Sequence, residues 1–304
     1  LISTYTTPGS SLWVSGIGGD SGLNYSFAIS PDDSDYAPGI MTTDQSSCSR
    51  GYVGSNSGRI QPNVFDDALG DHAENLDCNY TSTFVGTSAS TPTVSGVVAL
   101  MLEANADLTW RDVKHILAVT ADQVDADRSY EHLGINQYDW VTNKAGYQHH
   151  NWYGFGRVNA AKAVSTAATF SANSRGDFVD TGFVPSPTLD VEVVHPNDTT
   201  NTISINKPTG SRGIVEFVRV SISFSHEVPK SIGVRLRSPS GTIANIMQPM
   251  TNIGENPEDI IFDIGVSAFY GEVIEGGWSI MVNDYIDDSV DGRLVGWGLQ
   301  IYGN

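Results

Sequence analysis

The stretch from Gly86 to Glu103 constrains the fold of this chain more than any other, because a short polar lead-in passes directly into an apolar periodic run. The apolar residues of this run recur at the spacing of one helix face: Val94, Val97, Val98 and Met101. Ser88 is therefore predicted to lie at the N-terminus of a buried helix. The first N–H groups of a helix are unpaired and the positive end of its dipole faces outward, so an oxyanion beside Ser88 would be stabilised there.

Two interpretations of Ser88 compete. A serine at a helix start most often caps the helix. The whole string Gly86-Thr87-Ser88-Ala89-Ser90-Thr91-Pro92, however, resembles the serine signature of subtilisin-like proteases, and the continuation from Leu102 to Val113 resembles the kexin/furin branch of that family. The resemblance implies that Ser88 is the catalytic nucleophile and that its backbone N–H donates to the oxyanion hole.

Further segments of the first half match the same family. Residues 40–43 are predicted to form a strand ahead of the active loop, and Gly16-Ile17-Gly18-Gly19 is predicted to form a glycine turn. The run Tyr153-Gly154-Phe155-Gly156, followed by Val158-Asn159-Ala160-Ala161, is similar to the end of subtilisin-like catalytic domains. The resemblance implies an α/β subtilisin-like catalytic domain, here its C-terminal portion, with a mostly parallel sheet and helices.

A second helix is predicted over residues 107–121. Thr109 as N-cap and Asp112 three residues later approximate a capping box. The predicted inward face holds Val113, Ile116 and Leu117, with Trp110 as a further candidate. The histidines after Ser88 are not predicted to be catalytic: His115 lies beside this face as a helix-surface or core residue, and His149 and His150 are taken as loop residues.

The second half of the chain alternates between apolar and polar residues, as in residues 214–224 and 294–301. Turn residues between such runs are typical of an antiparallel sandwich or jelly roll. The segments Ser238-Pro239-Ser240-Gly241-Thr242, Phe269-Tyr270-Gly271-Glu272 and Gly296-Trp297-Gly298-Leu299 resemble the P domain that accompanies kexin/furin-type catalytic domains. We therefore predict a catalytic portion over residues 1–170, a linker over 171–185, and an all-β sandwich or jelly-roll P domain over 186–304.

A serine nucleophile needs an imidazole as base and a carboxylate that orients it. The family order is Asp, then His, then the oxyanion Asn, then Ser, yet His72 is the one histidine before Ser88 and lacks the family context. The chain starts with Leu1 rather than Met. We expect it to be the C-terminal piece of a longer enzyme, whose preceding segment or separate chain carries Asp, His and Asn. Recruitment of His72 or another histidine as base is the alternative.

Composition limits the partners. With 16 Lys and Arg against 35 Asp and Glu, the formal charge is −19, which argues against nucleic acid or an anionic membrane surface as a partner. The acidity suits a cationic substrate or bound Ca²⁺. No apolar run approaches the roughly 20 residues of a membrane-spanning helix. The two cysteines, Cys48 and Cys78, are predicted to form a disulfide in a secreted or periplasmic setting, with two free buried thiols as the alternative.

Calcium is implied by the resemblance, and one acidic turn is a candidate site. Hard cations favour such oxygen-rich loops, although a solvated turn is the alternative. The candidate ligands are Asp284, Asp287, Asp288 and Asp291.

Two functions remain from sequence alone. The first is a serine endopeptidase that forms an acyl-enzyme through Ser88, cleaves after basic residues, acts on peptides or proteins, and has a propeptide or chaperone as partner, as the resemblance implies. The second is a non-catalytic protein-binding remnant of a protease. It draws on the missing Asp and His, whereas the intact serine signature argues against it.

Overall fold

The described α-helices all end by residue 169, and the strands of the predicted sandwich follow them, as the change in sequence pattern predicts. The computed structural model describes residues 5–19, 39–54, 65–66, 72–127, 129, 131–132, 135–136, 138–253, 260–287, 290 and 292–304. The helices within this part of the chain are α1 (Gly51–Gly54), α2 (Thr87–Ala104), α3 (Trp110–Thr120) and α4 (Ala160–Thr169). The strands are β1 (Ile40–Thr43), β2 (Tyr80–Phe84), β3 (Glu131–His132), β4 (Ile135–Asn136), β5 (Val141–Thr142), β6 (Gln148–His149), β7 (Val179–Asp180), β8 (Val184–Pro185), β9 (Val191–Val193), β10 (Thr199–Ile205), β11 (Val215–Ser225), β12 (Ile232–Arg237), β13 (Ile243–Met247), β14 (Ile260–Val266), β15 (Gly276–Asp284) and β16 (Gly292–Gly303).

The chain divides into two compact units. The first comprises Leu1–Thr7 and Gly16–Leu100, and the second comprises Pro8–Ser15 and Met101–Asn304. The domain boundary expected at residues 171–185 stays a prediction. In the structure, β7 and β8 lie in that range and pair with β16, so this segment contributes to the sheet of the second unit.

The second unit contains the predicted antiparallel sandwich. One sheet has the strand order β10-β15-β12-β13, and the other has the order β14-β11-β16-β7, with β8 and β9 also paired to β16. Every one of these pairings is antiparallel. In β11, Val218, Val220, Ile222 and Phe224 point into the core because successive side chains of a strand face opposite sides. Trp278 of β15 is fully buried in the same core.

Helix α3 begins as predicted. The Thr109 side chain accepts from the backbone N–H of Asp112, and the Asp112 carboxylate accepts from the backbone N–H of Thr109, which completes the capping box. The inward face differs from the prediction in one respect. Trp110 is 60% exposed, whereas the charged residues Arg111 and Asp112 are buried. Arg111 can be buried because a carboxylate from β11 meets it.

Arg111 and Glu216 form a buried ion pair that joins α3 to β11. Arg111 Nε donates to Glu216 Oε2 at 2.9 Å and its terminal nitrogen donates to Oε1 at 2.5 Å, so both carboxylate oxygens are engaged. Asn304 Nδ2 also donates to Glu216 Oε1 at 2.8 Å. Burial alone would raise the pKa of Glu216, but the hydrogen bonds from Arg111 and Asn304 bring that pKa below its usual value. The carboxylate is therefore held charged inside the unit.

The predicted glycine turn before α4 requires its glycines. Gly154 has φ +62°, and a Cβ there would collide with the carbonyl oxygen of Trp13. Gly156 has φ +133°, and a Cβ there would collide with the carbonyl oxygen of Asp122. These backbones approach so closely because Phe155 N–H donates to Trp13 O at 2.8 Å between the two glycines. Helix α4 follows, capped by Asn159.

The first unit contains β1, as predicted, paired with β2. The pair is antiparallel, whereas the resemblance implies a mostly parallel sheet. Cys48 and Cys78 form a disulfide rather than two free thiols. In the segment that connects α1 to β2, residues 55–64 and 67–71 lie outside the described residues. At its ends, the Asp44 carboxylate accepts from two N–H groups of α1, and Asn75 hydrogen-bonds to Tyr80.

Removal of this disulfide should loosen β2. The bond closes a loop with a sequence separation of 30. Chain entropy then predicts that the double change Cys48→Ser with Cys78→Ser costs about 3 kcal/mol. Hydrogen exchange measured by mass spectrometry should show faster exchange in peptides covering β2, and unchanged exchange in peptides covering β11 of the second unit. Equal protection of β2 in both proteins would contradict this expectation.

Candidate active site

Ser88 lies where the sequence places it, at the second residue of α2 directly after β2 and a short turn. The turn is made by Gly86, whose φ of +100° is one that side chains with a Cβ rarely adopt. Gly86 O accepts from Ala89 N–H at 2.9 Å and from Ser90 N–H at 3.2 Å, which closes the first turn over Ser88. The Ser88 side chain is exposed.

The hydroxyl of Ser88 is set apart from those that follow it along α2. Four later hydroxyls donate to carbonyl oxygens of the helix itself: Ser90, Thr91, Thr93 and Ser95. Such back-bonding satisfies a hydroxyl and removes it from chemistry. Ser88 Oγ forms no side-chain hydrogen bond within the described residues, nor does it cap the helix. The hydroxyl is thus available to an external base and to a carbonyl carbon.

The backbone around Ser88 can receive a negative charge. Its N–H lies in the first turn of an 18-residue helix, where the helix offers no acceptor and the dipole is positive. No acidic residue lies in that first turn to offset the positive potential. An oxyanion placed beside Ser88 would therefore gain both a hydrogen bond and a favourable field.

A glycine segment runs along this turn, as the sequence predicts. Gly86 N–H donates to Gly18 O at 3.1 Å, and Tyr5 OH also donates to Gly18 O, at 2.8 Å. A Cβ on Gly16 would meet the backbone oxygen of Ser90. Glycines are needed here because two backbones pass without room for a side chain between them.

The helix that carries Ser88 is less buried than predicted. Met101 and Ala89 are buried, but Val94, Val97 and Val98 are only half-buried. Leu100 is 49% exposed and Leu102 is 39% exposed. Periodic apolar residues require a partner surface, and in this chain part of that surface remains open to solvent.

No base for Ser88 is present within the described part of its own unit. His72 is the histidine of the first unit, and its Nδ1 accepts from Glu74 N–H at 3.3 Å while its ring packs on Phe65. It forms no hydrogen bond to Ser88. The catalytic role of Ser88 accordingly stays a prediction, and recruitment of His72 gains no support from these contacts.

The histidines of the second unit serve its packing. His115 Nδ1 lies 2.8 Å from Tyr270 OH, and His149 Nε2 lies 3.0 Å from Leu12 O. Burial, together with the charge of Arg175, lowers the pKa of His115 from 6.5 to about 4. Burial likewise lowers the pKa of His149 to about 4. His115 is half-buried on α3 and hydrogen-bonded to Tyr270, and both imidazoles are neutral at pH 7.

These two imidazoles should make stability fall with acid. Between pH 6.5 and about 4 the unfolded chain binds protons at His115 and His149 that the folded chain does not. The free energy of unfolding should therefore decrease as the pH falls, by up to about 1.4 kcal/mol per pH unit for each imidazole. Urea unfolding followed by tryptophan fluorescence at pH 7 and pH 5 measures the loss. His115→Gln should reduce this loss, and an unchanged loss in that variant would contradict the assignment.

The predicted calcium ligands do not form a site within the described residues. Asp284 is buried, and its carboxylate accepts from His226 Nε2 at 3.1 Å and from Ile286 N–H at 3.0 Å. Asp287 is exposed, and Asp288 and Asp291 lie outside the described residues. The described part of the chain contains no group of three or more His, Cys, Asp or Glu that could bind a metal. Both oxygens of Asp284 accept hydrogen bonds from the protein, and the calcium role of these four residues stays a prediction.

Among the described helices, none combines the length and the apolar character required to cross a bilayer.

Two family models match the chain in the order that the sequence motifs predict. Residues 41–156 match the subtilase family, and residues 215–301 match the proprotein convertase P-domain. Ser88 lies inside the first match, and strands β11 to β15 lie inside the second.

Individual relatives agree with both matches. Proprotein convertase subtilisin/kexin type 6 of Rattus norvegicus is 34% identical over 226 residues, which cover 72% of this chain and 23% of the relative. The Aeromonas extracellular serine protease of Aeromonas sobria is 25% identical over 358 residues, which cover 99% of this chain and 53% of the relative. The chain thus spans about half or less of these relatives.

A solved structure shows the same fold. The crystal structure of the serine protease of Aeromonas sobria superposes with a TM-score of 0.81 at 24% identity, covering 99% of this chain and 55% of that protein. The structure of that protease with its chaperone superposes with a TM-score of 0.79. Together with the two family matches, these likenesses show that the chain belongs to the subtilisin-like serine proteases of the kexin/furin type, with part of a subtilase domain followed by a P-domain.

Proposed function

We propose that this chain contributes the nucleophile of an exported serine endopeptidase. The observation that carries the proposal is the exposed Ser88 hydroxyl at the start of α2, which forms no side-chain hydrogen bond among the described residues although its neighbours do. Ser88 Oγ attacks the scissile carbonyl while its proton passes to the base, and Ser88 N–H donates to the developing oxyanion. The peptide C–N bond then breaks, the amine leaves with that proton, and the acyl-enzyme remains. Water then hydrolyses the ester, and the Ser88 hydroxyl is regenerated.

We infer that the base, its orienting carboxylate and the oxyanion Asn come from polypeptide outside this chain. Three observations support this inference. The described histidine of the first unit is engaged elsewhere, the apolar residues Leu100 and Leu102 of α2 are exposed, and the chain spans 53% or less of the relatives described above. Packing of further polypeptide on α2 would cover this apolar surface and bring an imidazole to Ser88.

Cleavage after basic residues is the specificity we propose. The formal charge of −19 would attract a cationic peptide and raise its local concentration. Calcium stays a prediction for this protein, with Asp284, Asp287, Asp288 and Asp291 as the candidate ligands. A chaperone or propeptide is a further proposed partner, because the related Aeromonas sobria protease has been solved with a chaperone.

Covalent labelling tests the proposal directly. A fluorophosphonate reacts with a serine that is activated by a base, and mass spectrometry of the labelled protein should place the adduct on Ser88. The full-length protein that carries this chain should label, and its Ser88→Ala variant should not. Ser90→Ala is the matched control, because Ser90 Oγ only donates to Thr87 O, and it should label like the parent.

The same experiment distinguishes the enzyme from the second candidate function, a non-catalytic protein-binding remnant of a protease. That candidate draws on the lack of a base beside Ser88 among the described residues. A serine without a base reacts negligibly, so absence of labelling in the full-length protein would favour the remnant over the enzyme. In a labelled enzyme, peptides with Arg before the scissile bond should have a higher kcat/KM than peptides with Ala there. Equal values would remove the proposed specificity.

A further inference from the structure

The second unit contains a pocket with aromatic walls. One wall is formed by Trp110, Phe178 and Tyr302. The rings of Phe178 and Tyr302 stack with centroids 6.0 Å apart, and Trp110 meets Phe178 edge-on at 5.9 Å. Trp110 is 60% exposed and Phe178 is 47% exposed. Three adjoining aromatic rings form a contiguous apolar patch, which is the kind of surface that marks an interaction site, so the wall is a candidate contact surface.

Lys114 supplies the pocket with a cation. Its ammonium lies 3.9 Å from the ring centroid of Trp13 and 5.5 Å from that of Phe217, so aromatic faces surround it. Among the described residues, Lys114 Nζ forms no ion pair and donates no hydrogen bond. Burial lowers the pKa of Lys114, which shows that the charged form is poorly solvated there. An ammonium has three donors, and these remain available to an anion.

The other charged groups of the pocket already form hydrogen bonds within the protein. Arg111 donates to both oxygens of Glu216 and to Gly176 O at 2.6 Å. Glu216 also accepts from Asn304. The three charged lining residues, Arg111, Lys114 and Glu216, together carry one excess positive charge in a chain whose formal charge is −19. Charge complementarity therefore favours an anionic occupant at Lys114.

We propose that this pocket docks a partner polypeptide through an acidic side chain that neighbours an aromatic or aliphatic side chain. The carboxylate accepts from Lys114 Nζ, and the apolar neighbour packs on Trp110, Phe178 and Tyr302. Lys114 is already partly desolvated, so forming the ion pair costs little further loss of hydration. The apolar contact covers rings that are exposed in this chain. A polypeptide fits better than a free organic acid, because the exposed wall offers a surface for neighbouring residues as well as for the carboxylate.

Peptide binding to the full chain tests this proposal. The probe is fluorescein-labelled Gly-Asp-Phe-Gly-amide, and its comparison peptide carries Asn in place of Asp. Fluorescence anisotropy should show saturable binding of the Asp peptide and about tenfold weaker binding of the Asn peptide, since a hydrogen bond between two charged groups is lost. Equal binding of the two peptides, or no binding of either, would overturn the proposal.

Variants assign the binding to the pocket. Lys114→Met should abolish the discrimination between the two peptides, whereas Lys230→Met removes the same charge at an exposed position outside the pocket and should leave it intact. Phe178→Ala changes an exposed ring and should weaken both peptides several-fold, with unchanged circular dichroism. Discrimination that survives Lys114→Met, or that is lost in Lys230→Met, would contradict the assignment. If Gly-Phe with a free carboxyl terminus bound more tightly than the Asp peptide, the proposal of an acidic side chain would be wrong. The occupant would then be the carboxyl terminus of a chain.

Discussion

Ser88→Ala is expected to lower kcat for peptide-bond hydrolysis by about a million-fold, because loss of the nucleophile in a serine protease removes the covalent pathway altogether. Only binding and oxyanion stabilisation would remain. The KM should change little, because this substitution removes the reacting hydroxyl and leaves the other groups that would bind substrate unchanged. Single-turnover kinetics on the full-length protein that carries this chain would measure the loss.

The folded state should tolerate this change. Ser88 is exposed at the second residue of α2, and its hydroxyl does not cap that helix. The thermal unfolding midpoint of Ser88→Ala should therefore match that of the parent, and Ser90→Ala should retain nearly full activity. Substantial hydrolysis by Ser88→Ala would remove the proposed nucleophile, and equal losses in both variants would point to damage of the turn rather than to chemistry.

Glu216→Leu should have the largest effect on the stability of the second unit. It leaves the Arg111 guanidinium, whose side chain is 8% exposed, without the carboxylate that binds it twice. Breaking a buried pair in this way costs about 3–5 kcal/mol. All six tryptophans of the chain lie in the second unit, so their fluorescence during urea unfolding reports on that unit alone.

A double-mutant cycle separates the pair from its surroundings. Arg111→Met with Glu216→Leu removes both charges, and the free energy of unfolding should recover toward that of the parent. Arg293→Met breaks an exposed pair with Asp190 and serves as the control, for which we expect no measurable change because solvent screens that pair. The expectation fails if Glu216→Leu is as stable as Arg293→Met, or if the double variant is less stable than Glu216→Leu.

Features formed by residues close together in the chain could be predicted from the sequence. The Gly86 turn, the helix start at Ser88 and the capping box of Thr109 with Asp112 each depend on residues a few positions apart, so the sequence contains them in full. The alternating strands of the sandwich were predictable for the same reason, since one buried face repeats at every second residue.

Features that depend on distant partners were not predictable in the same way. Trp110 was a candidate for the inward face but is exposed, and Arg111 is buried instead because Glu216, 105 positions later, receives the guanidinium. A charged residue beside an apolar helix face was the available signal, but it does not identify its partner. The partner of Asp284 was likewise not predictable, because His226, which donates to its carboxylate, lies 58 positions earlier. The exposure of α2 depends on which surfaces cover it, and helical periodicity cannot reveal that.

The central position of β16 sets the order in which the sandwich can be completed during synthesis. Strand β16 lies between β11 and β7, and it also pairs with β8 and β9, although it is made after all of them. On the ribosome, β11 therefore has an unpaired edge until residues 292–303 emerge. Nascent chains shorter than this leave that edge free to recruit foreign strands, and limited proteolysis of arrested nascent chains would detect its late protection.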